Sequence, residues 1–271
     1  MYISRVKACV GACLLFLLWG CSDVIPYRDN TLEQVFCINI PVSELSCYSS
    51  AYTVSQLLSK ECLNLRVKEE ADNRSREIWR EIHKKLGLTS PYIPIVAYGS
   101  LMHPISAKKT LQEYHRHAVW VHDYIRIFDF DLEAIGKVLS EAGGDDIENR
   151  GVLNLKQETG SSCNAFVLAM GEEDFVACRN RECIYDLVPV VVSDYSSDSC
   201  KRSVAFAWIT NNHVRSKKVL PIKGYYSMVW AAVSSDSVKE CYGERFSEDY
   251  LRTTFLANGE SITTIHKEYQ Y

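Results

Sequence analysis

The sequence lacks the short motifs that mark many familiar enzyme sites. It contains no GxGxxG, no P-loop, no HExxH and no GxSxG, so nothing points to the common nucleotide-binding loops, zinc proteases or α/β-hydrolases. It also lacks an excess of basic residues. The formal net charge is -4, which gives no support for a nucleic-acid or anionic-lipid partner. What remains is an ordinary globular chain of 271 residues, long enough for one domain with an appendage or for two small domains.

The first twenty residues resemble an export signal. Arg5 and Lys7 precede an apolar stretch over residues 8–19, which is too short for a comfortable membrane span. The stretch ends in Leu18-Trp19-Gly20-Cys21, which resembles a bacterial lipobox. We therefore predict a signal peptide over residues 1–20, lipidation of Cys21, and an exported protein held at the membrane of the cell envelope by its lipid. The alternatives are an uncleaved anchor, or a misassigned start codon and a cytoplasmic protein.

Cysteine is abundant, with eleven in the chain. Eight of them lie beyond Cys21, and an exported protein could oxidise them, although the sequence does not give the pairing. Buried free thiols are the alternative. No CxxC pair is present, so a zinc site is not expected.

The hydrophobic pattern divides the chain into four parts. Residues 21–90 read as a tether followed by a helical extension, which either packs on the main domain or binds partners. Residues 91–257 form the main domain, and residues 258–271 form a tail. Within the domain, strand patterns predominate and no regular βαβα rhythm appears, which favours a mixed α+β fold built round a curved sheet. We predict strands at residues 93–97, 118–130, 151–156, 163–169, 185–192 and 203–209, and helices at residues 106–115, 172–180, 237–242 and 247–256.

Three histidines raise the question of a metal site. His115, His117 and His122 lie at the start of a predicted strand, where alternation places the first two on one face and the third on the other. That arrangement is more typical of polar residues at a strand end than of a ligand set. We expect neither a metal nor another cofactor.

The stretch PIVAYGSLMHP ends a strand in an unusual way. Ser100 could act as a nucleophile, but no base and orienting acid accompany it locally. A junction of strand, loop and helix instead directs several backbone N–H groups toward one point, which suits a carboxylate. We interpret the loop as an anion-binding one.

A second candidate is Glu182, where a short helix passes into an apolar strand. Burial by the following residues could raise the pKa of its carboxyl group toward a useful range for acid–base catalysis. The alternative is a surface glutamate paired with Arg179 or Arg181. On these residues alone, the second interpretation is favoured.

Several stretches, in order, resemble the γ-glutamylcyclotransferase-like superfamily over roughly residues 93–256. The loop Tyr98-Gly99-Ser100-Leu101 resembles the YGSL motif that opens the family's domain, and Glu182, followed by Tyr185 and "VPV", resembles its glutamate segment. Tyr225 stands at the position that lines the substrate pocket. The remaining matching stretches are "VWVHDYIRIFDFD", "GVLNL", "CNAFVLAMGEEDFVACRNRE", "LPIKGYYSMVWAAV" and "GERFSEDYLRTTFL".

The resemblance implies a small mixed β-barrel with surrounding helices and a small-molecule γ-glutamyl substrate. The loop at Tyr98 to Leu101 would hold the glutamyl part through its backbone amides. Glu182 would take a proton from the substrate's α-ammonium group, the amine would attack the γ-carbonyl, and 5-oxoproline and an amine would be released. The resemblance thereby favours the catalytic interpretation of Glu182.

The chain departs from the family pattern at two places. Cys178 and Arg179 stand where the family often has leucine and aspartate, and Ala232-Val233 replaces a Gly-Ala pair. Fold resemblance alone does not establish chemistry. The alternative function is therefore a non-catalytic envelope lipoprotein that uses the same fold to bind ligands or partners.

Overall fold

A computed structural model describes residues 65–113, 115–132, 149–182, 185–197, 201–210 and 215–269, with the backbone alone at residues 65–68. The predicted signal peptide, Cys21 and the tether up to residue 64 lie outside the described residues. No helix within the described ranges is both long enough and apolar enough to span a membrane.

The centre of the fold is a five-stranded barrel. Its strands are β1 (Ile93–Ala97), β2 (Arg116–Asp131), β3 (Asn149–Met170), β4 (Asp186–Asp194) and β5 (Ser203–Ile209). They follow the order β3-β1-β5-β4-β2, and pairing of β2 with β3 closes the sheet. Strand β1 runs parallel to β5, whereas the other neighbours in the barrel are antiparallel. The prediction of a mixed α+β fold on a small, curved barrel is confirmed.

Within the described residues, two short strands and six helices surround the barrel. Strand β6 (Leu220–Pro221) pairs with β3, and strand β7 (Thr254–Leu256) pairs with β2. The helices are α1 (Leu65–Lys85), α2 (Pro104–Lys108), α3 (Glu172–Arg181), α4 (Lys223–Val233), α5 (Asp236–Tyr242) and α6 (Arg245–Arg252). Single 3-10 turns occur at Ser100–Met102, Ile262–Thr264 and His266–Glu268.

The core is formed by apolar side chains of the strands and the helices that cover them. Every residue of β1 is buried, and Phe128, Phe166 and Phe206 are fully enclosed. The core continues to the end of the described chain, since Tyr269 is buried against it. Burial of this kind supplies the main driving force for folding.

Strand β3 differs from the prediction of two strands joined by a loop. It is one continuous strand, and the residues of the predicted loop form an irregularity in its pairing with β2. Pairing moves from His122 with Ser162 to Tyr124 with Gln157, which leaves the intervening residues opposite Asp123. Gly160 adopts a positive φ of 82° there, and its N–H donates to the Asp123 carboxylate at 2.8 Å. A glycine in this conformation bends the strand without ending it.

Two predicted helices are shorter than expected. The helix expected at residues 106–115 ends at Lys108, because the Asp174 carboxylate accepts the N–H groups of Gln112 and Glu113 and holds them away from a helix. The helix expected at residues 247–256 runs from Arg245 to Arg252, and the next residues form β7 against the edge of β2.

The helical extension packs on the barrel through its apolar face. Ile78 and Ile82 of α1 are buried in the core, and the Trp79 indole N–H donates to the Met170 carbonyl at 3.1 Å. The sequence left open whether this extension packs on the main domain or binds partners. In the structure, α1 packs on the main domain.

Candidate active site

The loop after β1 leads from the barrel into a short helix. A single 3-10 turn over Ser100–Met102 follows Gly99, and α2 then begins at Pro104, a residue suited to the first position of a helix. The Tyr98 hydroxyl donates to the Trp208 carbonyl on β5. Leu101 is buried in the core, so any part it takes in binding involves its backbone.

Tyr225 lies in the first turn of α4 and meets this loop. Its hydroxyl is hydrogen-bonded to the backbone of Ser100 and Leu153, and these bonds favour the phenolate, as amide N–H donors do. Burial outweighs them and raises the pKa of Tyr225. A Cβ atom on Gly99 would stand 2.5 Å from the Tyr225 hydroxyl oxygen. Glycine at this position is therefore what lets the tyrosine approach the loop backbone.

Glu182 is the C-cap of α3, and its N–H donates to the Cys178 carbonyl at 2.8 Å. Its carboxylate lies 3.2 Å from the Arg181 Nε, and the two side chains are only 16% and 15% exposed. Burial raises the pKa of Glu182 above its usual range, and the Arg181 cation opposes the shift. The pairing with Arg181 is the one expected for a surface glutamate, but the burial is not.

Arg181 connects Glu182 to the loop. Its Nη2 donates to the hydroxyls of Ser100 and Ser106, both at 2.8 Å. Its Nη1 donates to the Ser106 carbonyl at 2.8 Å and to the Thr110 hydroxyl at 3.1 Å. With Nε directed at Glu182, the guanidinium holds the catalytic candidate and the loop against one another.

Two tyrosines complete the cluster. Burial is the main cause of the raised pKa values of Tyr98 and Tyr225, and the charge of Glu182 raises both further. The Tyr98 and Tyr225 hydroxyls therefore lie within the electrostatic reach of the Glu182 carboxylate, and Arg181 connects that carboxylate to the loop, although these residues lie far apart in the sequence.

The cluster has the properties of an acid–base site. Burial raises the pKa of the Glu182 carboxyl group, which is the direction that acid–base catalysis by a glutamate requires, and the nearby N–H and O–H groups can orient a polar substrate. Within the described residues, no three His, Cys, Asp or Glu side chains are grouped to hold a metal ion. The histidines are bound elsewhere: His117 faces Asp194 at 3.4 Å, and His122 contacts the hydroxyl of Ser193.

Arg181, Ser106 and Thr110 are the members of the site that sequence reasoning missed. Arg181 entered only as a surface partner of Glu182, and the two hydroxyl residues drew no attention. No local spacing connects Arg181 to Ser106, since 75 positions separate them. The one available signal is the run Arg179-Asn180-Arg181-Glu182. It places two arginines at the end of a helix that the apolar pattern predicts to be buried, and buried arginines need hydrogen-bond acceptors or counter-charges from other segments.

The cysteines of the described ranges are free thiols. Cys163 and Cys178 are buried, whereas Cys241 is exposed. Burial raises the pKa of Cys163 to about 11 and also raises that of Cys178. At these three positions the structure has free thiols in place of disulfides. The other cysteines lie outside the described residues.

A separate cavity of about 630 Å³ lies between β2, β3 and β7. None of the predicted site residues lines it. Four of its charged groups form two ion pairs, with the Asp129 carboxylate 2.5 Å from Arg215 and Lys156 3.1 Å from Glu158, and Lys217 also lines it. The Glu182 cluster is the stronger candidate, because it joins a buried ionisable group to a backbone turn.

Comparison with known proteins gives likenesses of fold. No protein-family model matches the chain, and no curated protein matches it. A solved structure of an uncharacterised human protein is 12% identical and covers 58% of this chain and 86% of its own, with a TM-score of 0.41. A structure titled gamma-glutamyl cyclotransferase has the same identity and TM-score and covers 57% and 86%. An Arabidopsis thaliana protein is also 12% identical, covers 57% and 90%, and has a TM-score of 0.36.

Proposed function

We propose that this protein is a cyclotransferase, which cyclises the γ-glutamyl group of a γ-glutamyl amine or peptide to 5-oxoproline and releases the amine. One observation carries the proposal. The buried Glu182 carboxyl group, with its raised pKa, and the Ser100 hydroxyl of the loop are bound to the same Arg181 guanidinium. This contact supports a single site in which Glu182 would transfer the proton and the loop would bind the substrate.

In the proposed reaction, Glu182 acts first as a base and then as an acid. Its carboxylate takes one proton from the substrate's α-ammonium group, and the nitrogen lone pair attacks the γ-carbonyl carbon, which leaves two hydrogens on the ring nitrogen of the tetrahedral intermediate. The bond between that carbon and the departing nitrogen breaks as Glu182 returns the first proton to the departing nitrogen. The Glu182 carboxylate then accepts the second proton of the ring nitrogen, which leaves the neutral lactam, and passes it to the released amine as that becomes an ammonium ion. No other reactant is needed. The reacting atoms belong to one molecule, so a site that holds the folded conformation supplies much of the rate.

Binding is proposed for the loop backbone from Tyr98 to Leu101 and for Tyr225. The Ser100 amide is hydrogen-bonded to the Tyr225 hydroxyl, and a substrate oxygen entering here would share or replace that hydroxyl as its acceptor. Tyr225 would then line the substrate pocket, and its hydrogen bond to Ser100 would change when the substrate binds.

The test is release of 5-oxoproline from a panel of γ-glutamyl amines and peptides by the purified protein. We expect Glu182→Gln to lower kcat/KM by at least about 100-fold, the usual contribution of a positioned acid–base group. Glu240→Gln, at an exposed position on α5, is the matched control and should retain full activity. Undiminished release by Glu182→Gln would overturn the mechanism. A folded wild-type protein with no turnover, and no change of Tm with any γ-glutamyl compound, would favour the non-catalytic binding protein.

We also propose that the chain is exported and attached to the envelope membrane through a lipid on Cys21. The support is the apolar stretch and the sequence around Cys21. Cells of a bacterial host that express the protein and are fed an alkyne-labelled fatty acid should label the wild type and leave Cys21→Ser unlabelled. Equal labelling of the two would overturn the proposal.

A further inference from the structure

Helix α3 is attached to the helical extension by an ion pair whose arginine is buried. The Arg179 Nη2 lies 2.6 Å from the Asp72 carboxylate, and the Arg179 side chain is only 1% exposed. The Asn180 amide also donates to the same carboxylate oxygen, at 3.2 Å. Two successive residues at the end of α3 are therefore held by one aspartate of α1.

Such a pair is a strong constraint on position. A guanidinium removed from water needs a counter-charge and hydrogen-bond acceptors close by, and Asp72 supplies both to Arg179. If α1 moves away, Arg179 must follow it or remain buried without that carboxylate. The last turn of α3 is thus fixed relative to α1.

Further contacts fix the start of α3 against the same helix. The Arg76 guanidinium binds the Glu173 carboxylate at 2.8 Å, and Arg80 binds Glu172 at 2.6 Å. These pairs are more exposed than the Arg179 pair, and pairs of that kind contribute little to stability. Of the ion pairs between α1 and α3, the pair at Asp72 therefore contributes most to the position of the last turn of α3.

Glu182 is held between two attachments. Arg179 and Asn180 bind α1 on one side, and Arg181 binds the loop on the other. Glu182 caps the same helical turn, since its N–H donates to the Cys178 carbonyl. If the Asp72 carboxylate moved, the shift of Arg179 and Asn180 would therefore be transmitted to Glu182 through one turn of helix.

We infer that Asp72 is a positioning residue for Glu182, and that α1 thereby helps to set the geometry of the site. The inference rests on the proposed function of Glu182. It assigns to the segment before the barrel a role that neither its charge pattern nor its place in the chain indicates.

The experiment compares the full-length wild type with Asp72→Asn and with a matched control, Arg80→Gln, which removes an exposed pair between the same two helices. Two quantities are measured: kcat and KM for 5-oxoproline release, and the hydrogen-exchange rate of amides at residues 178–182. Misplacement of a catalytic group by about 1 Å can cost about 100-fold in rate. We expect Asp72→Asn to lower kcat by about 10- to 100-fold with less change in KM, and to speed exchange at the Glu182 amide. Arg80→Gln should leave both within about twofold, as expected for an exposed pair.

A second variant covers the case in which Asp72→Asn fails to fold. The double variant Asp72→Leu/Arg179→Met removes the buried charges and keeps apolar packing between the helices. Positioning predicts that it restores both slow exchange and most of kcat. Slow exchange with kcat still low would overturn the positioning role, as would a folded Asp72→Asn with wild-type kcat and exchange.

The two measurements also separate this inference from the proposed function. If the wild type releases no 5-oxoproline, the proposed function fails, while the exchange rates still report whether Asp72 holds the last turn of α3. If the wild type is active and Asp72→Asn is unchanged in both measurements, the function stands and the positioning inference fails.

Discussion

The Arg181 guanidinium donates a 2.8 Å hydrogen bond to the Ser100 hydroxyl, across 81 positions of sequence. The bond joins the end of α3 to the loop after β1, and it places a cation between the loop and Glu182. The ionisation of Glu182 and the position of the loop are therefore coupled through one side chain.

The first prediction concerns the pH profile of the proposed activity. Burial raises the pKa of Glu182 and the Arg181 cation lowers it. Removing the cation in Arg181→Gln should raise the pKa of Glu182 further, because nothing then offsets burial. A base must be ionised in the free enzyme, so the acid limb of kcat/KM should move to higher pH. The profile is measured for 5-oxoproline release between about pH 4 and pH 9, with far-UV circular dichroism to confirm folding. If the acid limb of kcat/KM in Arg181→Gln stays in place or moves to lower pH, Glu182 is not the base whose ionisation the profile follows.

The second prediction concerns stability and needs no substrate. The folded-state pKa of Glu182 lies above the ordinary value of about 4.3. The folded state thus holds the proton more tightly than the unfolded state. The contribution of Glu182 to stability is then complete below the unfolded pKa and is lost as pH rises through the folded pKa. Glutamine does not ionise, so Glu182→Gln should have a higher Tm than the wild type at neutral pH and an equal Tm near about pH 4.

Thermal unfolding followed by circular dichroism at several pH values tests the stability prediction. The exposed control Glu240→Gln should follow the wild-type curve throughout. A Tm of Glu182→Gln below that of the wild type at neutral pH would show that the pair with Arg181 outweighs the cost of burial.

The third prediction concerns the contact of Gly99 with Tyr225. A methyl group at position 99 would meet the Tyr225 hydroxyl at 2.5 Å, and we expect Gly99→Ala to destabilise the protein by about 1–3 kcal/mol, as overpacking does. Tyr225→Phe removes the colliding oxygen and leaves two backbone N–H groups without that acceptor. The same Gly99→Ala change should therefore cost clearly less in the Tyr225→Phe background.

Urea unfolding of the four proteins of this double-mutant cycle gives the coupling free energy between the two positions. A value indistinguishable from zero would mean that the hydroxyl does not press on the loop backbone.

The fourth prediction distinguishes the three described cysteines by reactivity. Cys241 is exposed, whereas Cys163 and Cys178 are buried with raised pKa values, and the thiolate is the reactive form. A brief treatment of the native protein with iodoacetamide, followed by peptide mapping, should find alkylation at Cys241 and little at the other two. Urea should expose all three. Rapid alkylation of native Cys178 would contradict the packing of α3 described above.

The buried arginine at position 179 has its counter-charge on α1. The carboxylate that neutralises it is that of Asp72. This agrees with a fold in which α1 covers α3 as part of the core.

The sequence by itself determined the elements whose pattern is strong. Alternation and β-branched residues predicted β2, β4 and β5, and the acidic first turn after Gly171 predicted α3. The loop at Tyr98 to Leu101 and Glu182 were also identified from local motifs and a resemblance. These features depend on neighbours in the chain, which a sequence displays directly.

Only the tertiary structure decided the contacts that give those residues their properties. The helix predicted past Lys108 ends early, and the Asp174 carboxylate accepts the N–H groups of Gln112 and Glu113 instead. The helix predicted past Arg252 gives way to β7, which pairs with β2. The partners of Arg181 and Arg179 lie 81 and 107 positions away, and no local pattern encodes such pairs. Whether Glu182 is a surface residue or a buried acid depends on how closely those distant segments pack around it, because its pKa follows from removal of water as well as from the adjacent arginine.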